Sequence, residues 1–429
     1  MVIRTTAIAA LIALASSSAA FAQAERPQRL FRGLFGGPAP SPDRQTSLDL
    51  DVSLSGAYDT DLAASQGASV TTQNPDSGAY SGLDLGLTFT HSRPHVDFAA
   101  SAGSNAQYYP TLHRTTSVGD QASISVDVHA NRASLTVMES GSYSPLFMLA
   151  PFVAPAAASA ADVGPSSLNT ALLRETMFGS STGLTGELKL GPRWSLDSNG
   201  AVTTSSVRYA AGSVKQQGWT AGARLHRQIS AAAGFHVGYT EQVMTPLRGL
   251  PAFRVYNADV GMDYNKALGR TRKTTMSFSS GSALAQDGTR NLYTVLADAS
   301  LNREMGRSWV AAANYHRGLG MVPGFSRPLF SDAVSGSLTG LITRRVDVSS
   351  DVAYTNGQLG ITSLTNRLAG YNASTRVRYA ITQLYAVYGE YSVYWYDLAN
   401  NLYVAAPVPP NVLRQGVHVG LTLRLPLVR

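Results

Sequence analysis

The stretch "QLYAVYGEYSVYWYDL", residues 383–398, holds five tyrosines and a tryptophan in sixteen residues, with tyrosine at 385, 388, 391 and 394. A three-residue step suits one stripe on a helix, but the same residues also split cleanly into two faces of a strand. As a strand, one face carries Tyr385, Val387, Gly389, Tyr391, Val393 and Trp395. The other carries Tyr388, Glu390, Ser392, Tyr394 and Tyr396. Tyr385 and Trp395 are then separated by about 33 Å, at ~3.3 Å per residue. A tilt of about 40° projects this to roughly 25 Å, the height of the apolar band between the two aromatic girdles of a membrane barrel. A helix would instead have to accommodate Gly389 and several β-preferring residues, with Glu390 among the aromatics. The strand reading holds, and it places Tyr385 and Trp395 in opposite girdles.

The same period of two runs outward from this stretch. "SLDLDVSLSGAY" (47–58) sets Leu48, Leu50, Val52 and Leu54 against Asp49, Asp51, Ser53 and Ser55. "VDVSSDVAY" (346–354) and "GVHVGLTLRL" (416–425) repeat the device. Segments of this kind begin near 46, 80, 94, 117, 132, 178, 193, 215, 232, 253, 272, 292, 308, 331, 346, 368, 383 and 413. One segment, "LNTALLRETM" (168–177), reads as a helix.

Connections between the segments alternate in length. Short ones such as "HSRP" (91–94), "ANR" (130–132) and "ITQ" (381–383) follow every second segment. Long ones lie between them, at 59–79, 109–117, 144–177, 209–215, 244–253, 285–291, 321–330, 357–367 and 397–412. This is the pattern of a single antiparallel transmembrane up-and-down β-barrel, with tight periplasmic turns and longer external loops. About 18 strands are expected, within 16–20. Ordinary sandwich strands run about five or six residues, shorter than these segments. A β-helix would show a short fixed repeat, and none is present.

Composition agrees. The 429 residues include only 14% charged, against about a quarter in an average chain. Glycine (39) and tyrosine (20) are abundant and cysteine is absent, so no disulfide framework supports the fold. The N-terminal "MVIRTTAIAALIALASSSAAFAQA" has Arg4 as its only charge, an apolar run, and Ala20-Phe21-Ala22 as an A-x-A cleavage site. Residues 1–22 are therefore expected to be a signal peptide, 23–45 a Pro-rich periplasmic tether, and 46–429 the barrel. Localisation in an outer membrane follows. Loss of Arg4 takes the net charge from +7 to 7 − 1 = +6.

No catalytic or metal-binding constellation emerges. "GSSTG" (179–183) matches G-x-S-x-G in form, but a nucleophile elbow needs a strand, a strained turn and then a helix. The eight histidines lack metal-ligand spacing. The chain is read as a non-enzyme without cofactor or metal. The face expected to line the lumen mixes Asp49, Asp51, Asp127, Asp259, Asp263, Asp298, Asp347 and Asp351 with Arg224, Arg376, Arg378 and Arg424. Candidate lumen contacts are Arg376, Arg378, Tyr388, Glu390, Tyr394, Tyr396 and His418. Tyrosine offers a ring face and a hydroxyl, a combination suited to sugars.

"LYAVYGEYSVYWYDL" (384–398), "RQGVHVGLTLRLPLV" (414–428) and, more weakly, "GSYSPLF" (141–147) resemble a group of bacterial outer-membrane β-barrel proteins, some associated with exopolysaccharide biosynthesis loci. The resemblance implies an outer-membrane barrel serving polysaccharide secretion and supplies no catalytic residues. The chain departs from the terminal aromatic residue common in outer-membrane proteins, closing Leu425-Pro426-Leu427-Val428-Arg429. The expected function is a transport channel for polysaccharide export. The alternatives are a general diffusion porin and a structural or adhesive barrel without an open pore. Expected partners are outer-membrane lipid, the barrel-assembly machinery, and polysaccharide or small polar solutes; nothing points to nucleic acid.

Two expectations concern the long connections. The apolar "PLFMLAPFVAPAAASAA" (145–161) is expected to fold inward as a constriction, or else to pack on neighbouring loops. Deleting 148–165 should then raise conductance. A cysteine introduced at Ser159 is expected to react with a thiol probe outside intact cells and one at Arg270 to be protected. The reverse pattern would overturn the topology.

Overall fold

The computed structural model describes residues 46–62, 77–110, 115–148, 170–209, 212–245, 252–268, 274–287, 290–306, 308–320, 329–359, 367–398 and 411–428. The segments expected as signal peptide and tether, together with Ser159 and Arg270, lie outside the described residues.

The strands are β1 (Thr46–Asp59), β2 (Gly78–Arg93), β3 (Val96–Tyr109), β4 (Thr115–His129), β5 (Ala133–Met148) and β6 (Thr170–Gly191). Then come β7 (Trp194–Tyr209), β8 (Gly212–Gln228), β9 (Ala233–Thr245), β10 (Phe253–Leu268), β11 (Thr274–Asp287) and β12 (Arg290–Met305). The last six are β13 (Trp309–Gly320), β14 (Leu329–Leu341), β15 (Val346–Leu359), β16 (Arg367–Ala380), β17 (Tyr385–Leu398) and β18 (Asn411–Val428). Each pairs antiparallel with its neighbours in sequence, and β1 pairs with both β2 and β18. The result is a closed 18-stranded antiparallel barrel, all-β among the described residues.

Alternation decides inside from outside. On β1, Leu54 is 59% exposed while Ser53 and Ser55 on either side are buried; on β18, Val419 is 61% exposed and His418 is 1% exposed. Large apolar side chains that would be core in a water-soluble protein therefore form the exterior, the arrangement of a barrel that crosses a membrane. The strand reading of 383–398 holds: Tyr385 and Tyr391 face outward, and Tyr388, Glu390, Ser392, Tyr394 and Tyr396 face inward and are buried. Trp395 stacks on Tyr371 of β16 with ring centroids 5.3 Å apart.

Three expectations need correction. Residues 170–177 are strand, not helix, because they extend β6 and pair with the end of β5, with Leu146 opposite Leu172 and Ser144 opposite Met177. Pairing with a neighbouring strand overrides local helix propensity. The connection expected at 144–177 therefore shrinks to 149–169, which lies outside the described residues together with most of the segment expected to fold inward. Finally, the long connections expected at 209–215 and 285–291 reduce to 210–211 and 288–289, because their polar flanks continue the ladders.

Three of the short turns share a device that strand periodicity does not register. "ISAA" (229–232), "ITRR" (342–345) and "ITQL" (381–384) are built alike. The hydroxyl of Ser230, Thr343 or Thr382 accepts from the backbone N–H two and three residues on, at 3.0–3.2 Å. The N–H groups of the Ile and the Ser/Thr both donate to the carbonyl of the residue opening the next strand. Each turn thus pairs backbone groups that the ladder leaves over.

The closing β1–β18 seam is pinned by charge at both ends. Asp59 and Arg414 form a buried ion pair at one end, and Arg424 lies 3.2 Å from Asp49 and 3.9 Å from Asp51 at the other. Asp59 is 0% exposed and Arg414 5%. Replacing either partner of the first pair alone leaves a buried charge unmatched. Arg414→Met is thus expected to destabilise the barrel by about 3–5 kcal/mol, and Asp59→Ser with Arg414→Met by much less. The measurement is the unfolding transition of the purified barrel followed by circular dichroism.

Candidate functional site on the inner wall of the closing strands

Register brings the inward residues of β16, β17, β18, β1 and β2 into rows. One row runs Arg376, Glu390, His418, Ala57, Tyr80. At one end of it Arg376 meets Glu390, with Nε and Nη2 at 2.8 and 2.7 Å from the same carboxylate oxygen. The small side chain of Ala57 leaves space above β1, and His418 and Tyr80 meet across it. Their rings are edge to face at 5.9 Å, and the Tyr80 hydroxyl is 3.3 Å from His418 Nε2.

On the short-turn side of this row, Arg378 reaches back to β15 and donates to both oxygens of Asp347, at 2.7–3.3 Å. Tyr388 lies flat across β18 over Gly420: a Cβ built there would stand 2.5 Å from its hydroxyl oxygen. Glycine at 420 is thus what lets the Tyr388 ring lie against the wall. The Arg376 guanidinium sits 5.5 Å from the centre of the same ring, within cation–π range.

On the other side of the row lies an aromatic group around the Asp59–Arg414 pair. Tyr394 and Tyr396 have centroids 5.7 Å apart, and Tyr80 and Tyr109 stack at 5.0 Å. Just after β1 the chain turns inward, and Leu62 is fully buried against Ala57, Tyr80 and Tyr109.

All seven expected lumen contacts therefore lie on the inner wall of β16–β18, but not as one site. Arg376 touches both Tyr388 and Glu390, with His418 opposite Glu390 in the ladder. Arg378 is drawn away to Asp347, and Tyr394 and Tyr396 belong to the Arg414 group. Sequence reasoning missed Asp59, Arg414, Tyr80 and Tyr109. Carrying the inward parity of His418 back through Gly416 would have found Arg414. Elsewhere on the inner wall, Asp298 pairs with His316 at 2.5 Å, and Asp263 takes His236 at 2.7 Å and His226 at 3.4 Å. The side chain of Asp259 lies outside the described residues. Ser181 sits mid-strand, opposite Ser140 and Thr203, without the turn a nucleophile elbow needs.

Two buried polar atoms of this wall, Ser392 Oγ and His418 Nδ1, have no hydrogen-bond partner among the described residues. They belong to β17 and β18, while the Tyr388 hydroxyl lies beside the Ser53 and Ser55 hydroxyls of β1. Buried donors and acceptors normally find partners, so these two atoms have unused hydrogen-bonding capacity.

The packing of Tyr388 on Gly420 can be tested. Gly420→Val is expected to cost about 1–3 kcal/mol by overpacking, seen as a lower melting temperature. Adding Tyr388→Ala should recover much of that loss; no recovery would mean that the ring does not lie on Gly420.

No protein-family model and no curated protein sequence matches the chain. Among solved structures it is similar to Pseudomonas aeruginosa OccK2 (OpdF) in complex with glucuronate, at 9% identity and a TM-score of 0.45, covering 89% of this chain and 98% of that one. Acinetobacter baumannii OccAB4 aligns at 10% identity and a TM-score of 0.42, over 90% and 100% of the two chains. The siderophore receptor PirA from Pseudomonas aeruginosa aligns at 7% identity and a TM-score of 0.41, over 88% and 80%.

Proposed function

We propose that the protein is an outer-membrane transport channel for hydroxyl-rich polar solutes, with polysaccharide export as its specific task. A closed ring with an apolar exterior supports the membrane location, together with the export signal read at the N-terminus. Eighteen strands enclose an interior wider than wall side chains can fill, which supports a channel. The observation that carries the solute class is the pair of buried polar atoms without a protein partner, Ser392 Oγ and His418 Nδ1, in a wall rich in serine and tyrosine hydroxyls. The wall tyrosines are packed down and nearly inaccessible, so the wall would offer a passing sugar only weak, shallow contacts, and a conducting pathway needs sites that bind weakly enough to release.

A general diffusion porin is the second reading. Its support is the matching of wall charges, since Arg376, Arg378, Arg414 and Arg424 each face an acidic partner. A wall neutralised in this way has little preference for the sign of a solute.

A strain lacking the protein is expected to lose surface polysaccharide or to accumulate it in the periplasm. Tyr388→Phe with Ser392→Ala removes two hydroxyls without removing a ring, and should reproduce part of that loss with the barrel assembled at normal level. Normal polysaccharide with reduced uptake of small polar solutes would transfer the reading to the porin. If the purified barrel conducts no ions and its loss changes neither, the transport reading fails.

A further inference from the structure

The outer face is not uniform around the barrel. On β18, β1 and β2 many outward positions are large and apolar, including Val417, Val419, Leu54, Leu83 and Leu85, all exposed, with Gly56, Ser81 and Gln415 among them. On β4–β7 they include Ala122, Glu139, Gly141, Ser180, Thr182 and Thr204. Two register rows place these side by side: Ala122, Gly141, Ser180, Thr204 in one, and Ile124, Glu139, Thr182, Val202 in the next.

Glu139 is the decisive member. It shares the outward parity of Leu135, Val137 and Tyr143 on β5, and it is exposed. It lies six residues from the start of β5, so about 20 Å along the strand. At a tilt of ~40° that is roughly 15 Å in height, inside a band about 25 Å tall. Its neighbours across the ladders are Ile124 and Thr182, flanked by Ala122, Val126, Ser180 and Leu184. None of these carries a positive charge. A carboxylate at this depth is unfavourable against hydrocarbon, and polar groups within a membrane are characteristically turned toward protein or water.

We infer that the outer face of β4–β7 is an interface with a second copy of this chain, related by a two-fold axis along the membrane normal between β5 and β6. That axis sets β5 of each copy against β6 of the other. Because Glu139 and Thr182 share a register row, each carboxylate then meets the Thr182 and Ser180 hydroxyls of the second copy, which donate to it. The patch is self-complementary in the way a two-fold interface requires, acid on one strand and hydroxyls on the next. Gly141 and Ala122 let the two sheets approach closely, as small residues do where membrane segments pack.

The absence of cysteine makes the test clean. Leu184→Cys, next to Thr182 on the outward face of β6, in full-length protein in native membranes, is treated with a short bis-maleimide. A cross-linked dimer is expected, while Leu85→Cys on the apolar side should stay monomeric. Adding Glu139→Leu to Leu184→Cys should lower the dimer yield at least tenfold, with the barrel still migrating as a folded species. Gly141→Leu adds bulk without touching the carboxylate and should do the same. The inference is overturned if Leu184→Cys gives no dimer, if it joins a protein of another mass, if Leu85→Cys cross-links equally, or if both added substitutions leave the yield unchanged.

Discussion

A strand in hydrocarbon has no water to satisfy its N–H and C=O groups, so the sheet must close on itself. Everything else in this structure is arranged around that closure. The first and last strands must meet, although Asp59 and Arg414 are 355 residues apart in the chain. Twelve residue pairs join β1 to β18, from Leu48–Val428 to Asp59–Gly416. The ion pairs at the two ends of this seam act where the ladder would otherwise fray. The Tyr80–His418 contact passes over β1 at Ala57 and ties β2 to β18 directly. Closure is thus supported by backbone pairing, by charge and by side chains that skip a strand.

The same closure determines what the interior can be. Polar residues on the inner wall cannot be covered by a second layer of their own kind, because the ring is too wide. Their charges are instead matched laterally, from strand to neighbouring strand: Asp347 to Arg378, Arg376 to Glu390, Asp59 to Arg414. Aromatic rings gain contact by lying along the wall, as Tyr388 does over Gly420. Lateral pairing and flat rings keep the polar wall satisfied without requiring a filled core. Where they leave a hydroxyl or ring nitrogen unmatched, the wall retains capacity to bind.

Much of this was legible in the sequence because a period of two assigns each side chain to a face. Strand number followed from counting alternating segments, and the inward placement of Arg376, Glu390 and His418 followed from parity. Parity does not give the register between the first and last strands, so the pairing of Asp59 with Arg414 was out of reach. It also blurs where the alternation is interrupted. In "LTVMES" (135–140) the adjacent Val137 and Met138 are both apolar, and the outward position of Glu139 was hidden. Residues 170–177 were misread for a different reason. Their composition favours a helix, and only the pairing with β5 makes them strand.

Parity also explains why the two ends of the barrel are built differently. A slip of one residue would turn an entire strand inside out, presenting Asp49 and Asp51 to lipid and Leu50 and Val52 to the lumen. Something must hold register at each hairpin, and at three of them the Ile-Ser/Thr turns do so. Their hydroxyls bind two backbone N–H groups apiece and fix where the next strand begins. Their isoleucines, Ile229, Ile342 and Ile381, remain exposed. With register set at this end, the connections at the other end are free to vary in length and composition without turning a strand over. The order of the barrel is therefore set largely from one rim, and the opposite rim, where Asp59, Arg414 and the tyrosines gather, carries the connections that can vary.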